Sequence, residues 1–130
     1  RDIGVTGVQT CALPISPAQV ETFARDGVVH LPGLLAPGMV ERLRAAVDRA
    51  MASPGEMALD FNDRGSPGRF FGDMFMWRGD EDFRAAFFET GAAAAAGALM
   101  GAARIHLFYD QVFAKEPGTP ARTPSAYAGR

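Results

Sequence analysis

The stretch that decides the fold runs from Ile105 to Pro124 and reads IHLFYDQVFAKEPGTPARTP. Its first part, together with Arg104, is rich in β-branched and aromatic residues and contains neither Gly nor Pro. Such a run favours the extended backbone, so the sequence predicts a β-strand from Arg104 to Lys115. The Lys-Glu-Pro-Gly-Thr sequence that follows has the residues of a turn, and we expect the strand to end there.

Side chains alternate between the two faces of a strand, so this segment divides into two sets. One set consists of Ile105, Leu107, Tyr109, Gln111, Phe113 and Lys115. Because Tyr109, Gln111 and Lys115 share a face, they are candidates to line one pocket. The alternative is that Lys115 ends the strand in solvent while Gln111 pairs with a neighbouring strand, and the residues alone favour that alternative.

Helix signals fill most of the chain before this strand. Ser16-Pro17-Ala18-Gln19 has the form of a capping box with Pro at the first helical position, and Gly27 is suited to end that helix. A short strand from Val28 to Leu31 follows. A second helix begins at Pro37, because apolar residues recur after it at intervals of three and four.

The middle of the chain predicts a loop and two more helices. Residues 57–68 are polar and contain two glycines, so they indicate an irregular loop. Asp80-Glu81-Asp82 begins the third helix, where carboxylates favour the helix dipole, and helix capping explains the triplet better than a cation site does. Thr90 is a candidate cap for a fourth helix, from Gly91 to about Met100.

An aromatic and methionine cluster lies between the loop and the third helix. These residues either line a substrate mouth or pack into a core or lid, and core packing is favoured because such side chains bury well. The cluster consists of Phe70, Phe71, Met74, Phe75, Met76 and Trp77.

Composition excludes several classes of function. The 130-residue chain has a formal net charge of −2 and a pI near 5.6, which argues against nucleic acid or an anionic membrane as a partner. The single cysteine, Cys11, excludes a disulfide within the chain. No apolar run approaches the roughly 18 residues of a membrane-spanning helix. We expect a cytoplasmic protein whose oligomeric state the sequence leaves open.

Four phrases carry a family resemblance, in order along the chain from about Pro17 to Pro124. FYDQVFAKEPGTPARTP resembles the segment just before the iron site in the phytanoyl-CoA dioxygenase family. The upstream phrases VETFARDGVVHLPGLL at 20–35, MVERLRAAVDRAM at 39–51 and RFFGDMFMWRGDEDFRAAFFET at 69–90 are similar to earlier segments of the same family. The ordered set is more specific than any single phrase.

The resemblance implies an α+β fold, with N-terminal helices and the first strands of a double-stranded β-helix (jelly roll), here incomplete. It also implies iron(II) and 2-oxoglutarate as cofactors of the complete protein. The reaction would be hydroxylation of a small organic substrate, coupled to decarboxylation of 2-oxoglutarate to succinate. Carried over to this chain, the resemblance makes Gln111 and Lys115 the candidate 2-oxoglutarate contacts.

The chain departs from the family pattern at the iron ligands. The family has a His-X-Asp motif soon after the turn and a distal His, whereas here Thr123-Pro124 leads to Ser125. The two histidines are His30 and His106, and neither begins a His-X-Asp. His106 and Asp110 would lie about 13 Å apart along a strand, too far to share a metal, so both are interpreted as structural.

We therefore expect no catalytic residue, no metal ligand and no bound cofactor in this chain, which would be inactive alone. The alternative is a small, non-catalytic helical module with a binding or structural role.

Both ends of the sequence look unlike the rest. VTGVQTCALPI at 5–15 resembles the translation of a sequencing adapter, so residues 1–16 are expected to be non-native. Residues 17–124 are then the N-terminal part of a phytanoyl-CoA dioxygenase-like domain, and residues 125–130 an aberrant or truncated tail.

Overall fold

A computed structural model describes residues 14–63 and 65–123, and this part of the chain contains four α-helices, one 3₁₀-helix and three short strands. The combination confirms the predicted α+β class. In chain order the elements are α1 (Pro17–Asp26), α2 (Pro37–Ala52), β1 (Leu59–Asp60), β2 (Phe70–Met74), the 3₁₀-helix (Met76–Arg78), α3 (Glu81–Phe88), α4 (Ala92–Met100) and β3 (Gln111–Lys115).

Helix α1 begins and ends at the residues that its sequence predicts. The Ser16 hydroxyl accepts a hydrogen bond from the Gln19 amide at 3.3 Å, and the Ser16 amide donates to Gln19 Oε1 at 2.8 Å. This reciprocal pair satisfies two amides that the first turn leaves without helical partners. Gly27 then adopts the left-handed conformation, with φ of 72°, and ends the helix.

Helix α3 is capped and tied to α2 by the carboxylates at its start. Asp80 accepts hydrogen bonds from the amides of Asp82 and Phe83 at 2.8 and 3.3 Å, which confirms the helix-cap interpretation. Arg49 of α2 donates to Asp80 at 2.8 Å and to Asp82 at 2.7 Å. Hydrogen bonds from Arg49, and then from Arg42, lower the pKa of the Asp82 carboxyl. The network joins α2 to α3.

The three strands form one antiparallel sheet in the order β1-β2-β3. Gly72 at its centre lies opposite Leu59 of β1 and Phe113 of β3. Every second residue points to the same side, so one side of the sheet is defined by the register. We call this the outer sheet face, and it consists of Leu59, Phe61, Phe70, Gly72, Met74, Gln111, Phe113 and Lys115. Closure into a double-stranded β-helix stays a prediction.

Buried side chains lie on both sides of the sheet, Phe70 on the outer sheet face and Phe71 on the opposite side. Phe71 has no exposed surface, and the guanidinium of Arg69 lies 4.9 Å from its ring centroid. Arg69 also donates to the carbonyl of Met51 at the end of α2, at 2.8 Å. Ala46 and Ala50 of α2 are buried, as expected where small side chains let a helix approach its neighbours. The sequence predicts core packing for the aromatic and methionine cluster, and the burial of Phe70 and Phe71 confirms it for these two residues.

The predicted strand from Arg104 to Lys115 is too long. Only Gln111–Lys115 pairs, because β2 ends at Met74 and Phe75 then takes a left-handed conformation with φ of 59°. Residues 104–110 have no neighbouring strand among the described residues. They contain Phe108, which is 84 % exposed. Strand-forming residue types alone do not make a strand without a partner.

Two smaller predictions also need correction. Val28 to Leu31 is not a strand, and Val28 is 67 % exposed, since no strand of the described part lies beside it. Residues 57–68 are not wholly irregular, because β1 occupies Leu59–Asp60 and pairs with β2.

Most of the adapter-like segment and the tail from Pro124 lie outside the described residues, so the predictions for them stay predictions. Within 14–63 and 65–123, no helix is long and apolar enough to cross a membrane.

Candidate functional site

The outer sheet face carries both residues that the sequence predicts as cosubstrate contacts. Gln111 and Lys115 pair with Met74 and Phe70 of β2, and Phe113 lies between them. All three β3 side chains on this face are exposed, Phe113 to 44 %. Their shared face, predicted from the alternation, is thus confirmed for Gln111, Phe113 and Lys115.

Lys115 is held over an aromatic cluster. Its ammonium lies 5.3 Å from the ring centroid of Phe70 and donates to the carbonyl of Ala121 at 2.7 Å. Phe70 in turn packs against Phe61 and Phe113, with centroid separations of 4.9 and 6.0 Å. Because an ammonium has three N–H donors, Lys115 can bond an anion as well as the Ala121 carbonyl.

Gln111 marks the other end of the exposed strip. Its side chain forms no hydrogen bond with the described residues. The Cα atoms of Gln111 and Lys115 are about 13 Å apart at four strand residues. A ligand that contacts both side chains must therefore lie across Phe113.

Tyr109 does not join this face as predicted. It comes before β3 begins, where no pairing imposes the alternation. Its ring packs against Phe75 at 6.2 Å and against Phe108 at 5.4 Å. Tyr109 belongs to an aromatic group beside the end of β2.

Asp110 is a buried carboxylate that the sequence marks only as structural. It is 8 % exposed, and its carboxylate accepts from the Trp77 amide at 3.1 Å. Its main-chain carbonyl accepts from the Phe75 amide at 3.0 Å. The hydrogen-bonded structural interpretation is confirmed for Asp110. His106 is exposed, and its side chain forms no hydrogen bond with the described residues.

Burial raises the pKa of the Asp110 carboxyl above its ordinary value of 3.8, because desolvation disfavours the charged form. The amides of Trp77 and Met76 oppose this change by stabilising the carboxylate, while the negative charge of Asp73 adds to it. The Asp110 side chain thus carries a proton more readily than an exposed aspartate does.

The described residues do not fit an iron centre. His30 and His106 are both exposed. Over 14–63 and 65–123, no group of three or more His, Cys, Asp or Glu side chains is arranged to hold a metal ion. The outer sheet face offers an amide, an ammonium and aromatic surface, which suit a carboxylate ligand rather than a metal.

Comparison with known proteins agrees with the four sequence phrases. The profile of the family described as phytanoyl-CoA dioxygenase (PhyH) matches residues 23–126, which is well over half of the chain. No curated protein and no solved structure gives a significant match. The matched region includes every described helix and strand except the first turns of α1. The chain therefore belongs to the phytanoyl-CoA dioxygenase family, whose members are generally iron(II)- and 2-oxoglutarate-dependent oxygenases.

Proposed function

We propose that this chain is the N-terminal part of an oxygenase that hydroxylates a small organic substrate with iron(II) and 2-oxoglutarate. In the complete protein, Gln111 and Lys115 contact 2-oxoglutarate. The observation that carries the proposal is the outer sheet face, where both side chains are exposed on β3 within the region matched by the family profile.

The two side chains have different roles in holding the cosubstrate. The Lys115 ammonium donates to a carboxylate of 2-oxoglutarate, and the bond to Ala121 aims it beside the aromatic cluster. Gln111 offers an amide N–H and a carbonyl, so it orients the ligand rather than neutralising it. Phe113 supports the carbon chain between them and excludes water from one side.

Iron(II) with 2-oxoglutarate supplies the oxidising chemistry of the family. The described residues, 14–63 and 65–123, contain no group arranged to hold it, so no step at the metal is assigned to them. We propose that the chain alone binds 2-oxoglutarate weakly and turns over no substrate. A cytoplasmic location, and the absence of nucleic acid and membrane partners, remain expectations from composition.

Replacing Lys115 by Met tests the cosubstrate assignment. Methionine retains an apolar stem over Phe70 but removes the ammonium. Loss of one charge-assisted hydrogen bond of about 1.5–3 kcal/mol should weaken 2-oxoglutarate binding by roughly ten- to a hundredfold. Isothermal titration calorimetry of the purified chain measures this. Gln111→Ala should weaken binding less, because a neutral hydrogen bond contributes about 1 kcal/mol.

Arg104→Met is the matched control, since Arg104 is an exposed cation before β3 and outside the outer sheet face. It should leave the affinity unchanged. Equal loss of affinity in the Arg104 and Lys115 variants would indicate general attraction of an anion to positive charge, and the assignment of Lys115 would fall.

A further inference from the structure

We propose that Asp110 is a positioning residue, whose buried carboxylate fixes the turn after β2 against β3 and so sets Gln111 on the outer sheet face. The inference rests on the proposed function, because that function assigns Gln111 to the cosubstrate. It adds a residue that neither touches the ligand nor lies on that face.

The carboxylate occupies a concavity made by successive backbone amides. Phe75 is left-handed, with φ of 59°, and it is followed at once by the 3₁₀-helix Met76–Arg78. Such a change of backbone hand points consecutive N–H groups toward one point, where an anion binds. Here the anion is internal, since the Trp77 amide donates to Asp110 Oδ2 at 3.1 Å.

This arrangement accounts for a strained residue. A non-glycine residue in the left-handed region costs on the order of 1–3 kcal/mol and persists only where its surroundings impose it. Phe75 is the one positive-φ residue other than glycine in the described part of the chain. In the proposal, the bonds from the Phe75 and Trp77 amides to Asp110 hold the backbone on both sides of this conformation.

The carboxylate lacks a cationic partner in the described residues. The charged group that acts on it is Asp73 of β2, which carries the same sign, and Asp110 Oδ1 is buried without a hydrogen-bond partner. A structural cap is better served by a neutral or fully bonded group, since burial of a partly bonded charge is costly. Because the buried Asp110 carboxylate lowers stability, its role is to hold the backbone of the turn after β2 in place.

Asp110 makes the hydrogen bond between β2 and β3 that lies beyond the last residue pair of the sheet. The Asp110 carbonyl accepts from the Phe75 amide at 3.0 Å, directly beyond the Met74–Gln111 pair. Asp110 therefore holds the turn at two points, one through its backbone and one through its side chain. If the bond from the Trp77 amide to the Asp110 side chain is lost, Phe75 is free to leave the left-handed region. The hydrogen bond from the Phe75 amide to the Asp110 carbonyl, next to Gln111, then weakens.

The test uses the 130-residue chain and the variant Asp110→Asn, which has nearly the same shape and still offers one oxygen acceptor. Trp77 is the single tryptophan, so its fluorescence emission reports the turn directly. A raised folded pKa means that this group favours the folded state below its unfolded value near 3.8. That contribution is lost as the pH rises through the folded pKa.

Wild-type emission should therefore change in one titration centred above pH 3.8, and the Asn variant should lack that titration. The second readout is the affinity for 2-oxoglutarate of the variant Asp110→Ala, which removes both carboxylate oxygens and therefore the bond from the Trp77 amide. That affinity should fall by about three- to tenfold, as for one misplaced neutral hydrogen bond. Ser16→Ala is the control, because it removes the side-chain cap of α1, a helix that packs against α4, and so lowers stability at another part of the fold. Its affinity for 2-oxoglutarate should equal that of wild type.

Three results would overturn the inference. The first is an identical pH response of Trp77 emission in wild type and the Asn variant. The second is unchanged affinity in Asp110→Ala while Lys115→Met still binds more weakly, which leaves the proposed function standing. The third is an equal loss of affinity in Ser16→Ala, which would assign the effect to stability alone. If wild type itself binds no 2-oxoglutarate, the proposed function falls and the positioning role falls with it.

Discussion

Phe71→Ala is expected to remove most of the stability of the chain. Phe71 lies in the central strand β2 with no exposed surface, so its removal leaves a cavity in the interior. Truncation of a buried phenylalanine costs about 3–5 kcal/mol, against a total of about 5–15 kcal/mol for a folded domain. Urea denaturation followed by circular dichroism measures the loss as a lower midpoint.

Phe108→Ala is the matched control for that substitution. It removes the same side chain from a position that is 84 % exposed, so stability should change by no more than about 0.5 kcal/mol. Similar midpoints for the two variants would contradict the burial of Phe71 and the exposure of Phe108.

Gly68→Ala should have the second-largest effect. Gly68 has φ of 70°, and an added Cβ would lie 2.7 Å from the carbonyl oxygen of Pro117 and 3.2 Å from the amide nitrogen of Thr119. Both atoms are backbone, so neither can turn aside. We expect about 2–4 kcal/mol of destabilisation, from the left-handed conformation together with displacement of the turn after β3. Denaturant unfolding again gives the value.

Gly65→Ala separates the two causes. Gly65 is also left-handed, with φ of 88°, but an added Cβ would meet nothing within 4 Å. That variant should lose only about 1 kcal/mol, the part due to backbone conformation. If the two alanine variants are equally stable, the loop before β2 does not pack against the turn at residues 116–119.

The helix boundaries could be predicted because their signals are local. Ser16, Gln19 and Gly27 define α1 through bonds within one or two turns, and Asp80 caps α3 through the amides next to it. Each signal acts on neighbouring residues, so no knowledge of the rest of the fold is needed. The same holds for the alternation of Gln111, Phe113 and Lys115 once β3 has begun.

The strand boundaries could not be predicted, because a strand depends on a distant partner. The length of β3 is fixed by β2, which ends where Phe75 becomes left-handed. The Phe75 amide donates to the carbonyl of Asp110, 35 positions further along the sequence. No local pattern around either residue reveals this pairing, so the strand-forming residue types of 104–110 predict a strand that the structure does not form.

The candidate site was predicted in part for the same reason. Family resemblance assigned Gln111 and Lys115, and the register places them on one exposed face. The neighbours that give Lys115 its setting, Phe70 and the Ala121 carbonyl, come from β2 and from the segment after the turn. Phe70 and the Ala121 carbonyl come close to Lys115 only through tertiary packing, which local sequence patterns do not predict.

The most direct test of the central claim is a titration of the purified chain with iron(II) and 2-oxoglutarate under anaerobic conditions, followed by admission of oxygen and assay of succinate. The claim is the proposal that Gln111 and Lys115 contact 2-oxoglutarate while residues 14–63 and 65–123 hold no iron. It predicts 2-oxoglutarate binding that Lys115→Met weakens, no stoichiometric binding of iron, and succinate at the level of the protein-free blank. Tight binding of one iron per chain, or succinate release above the blank, would contradict it.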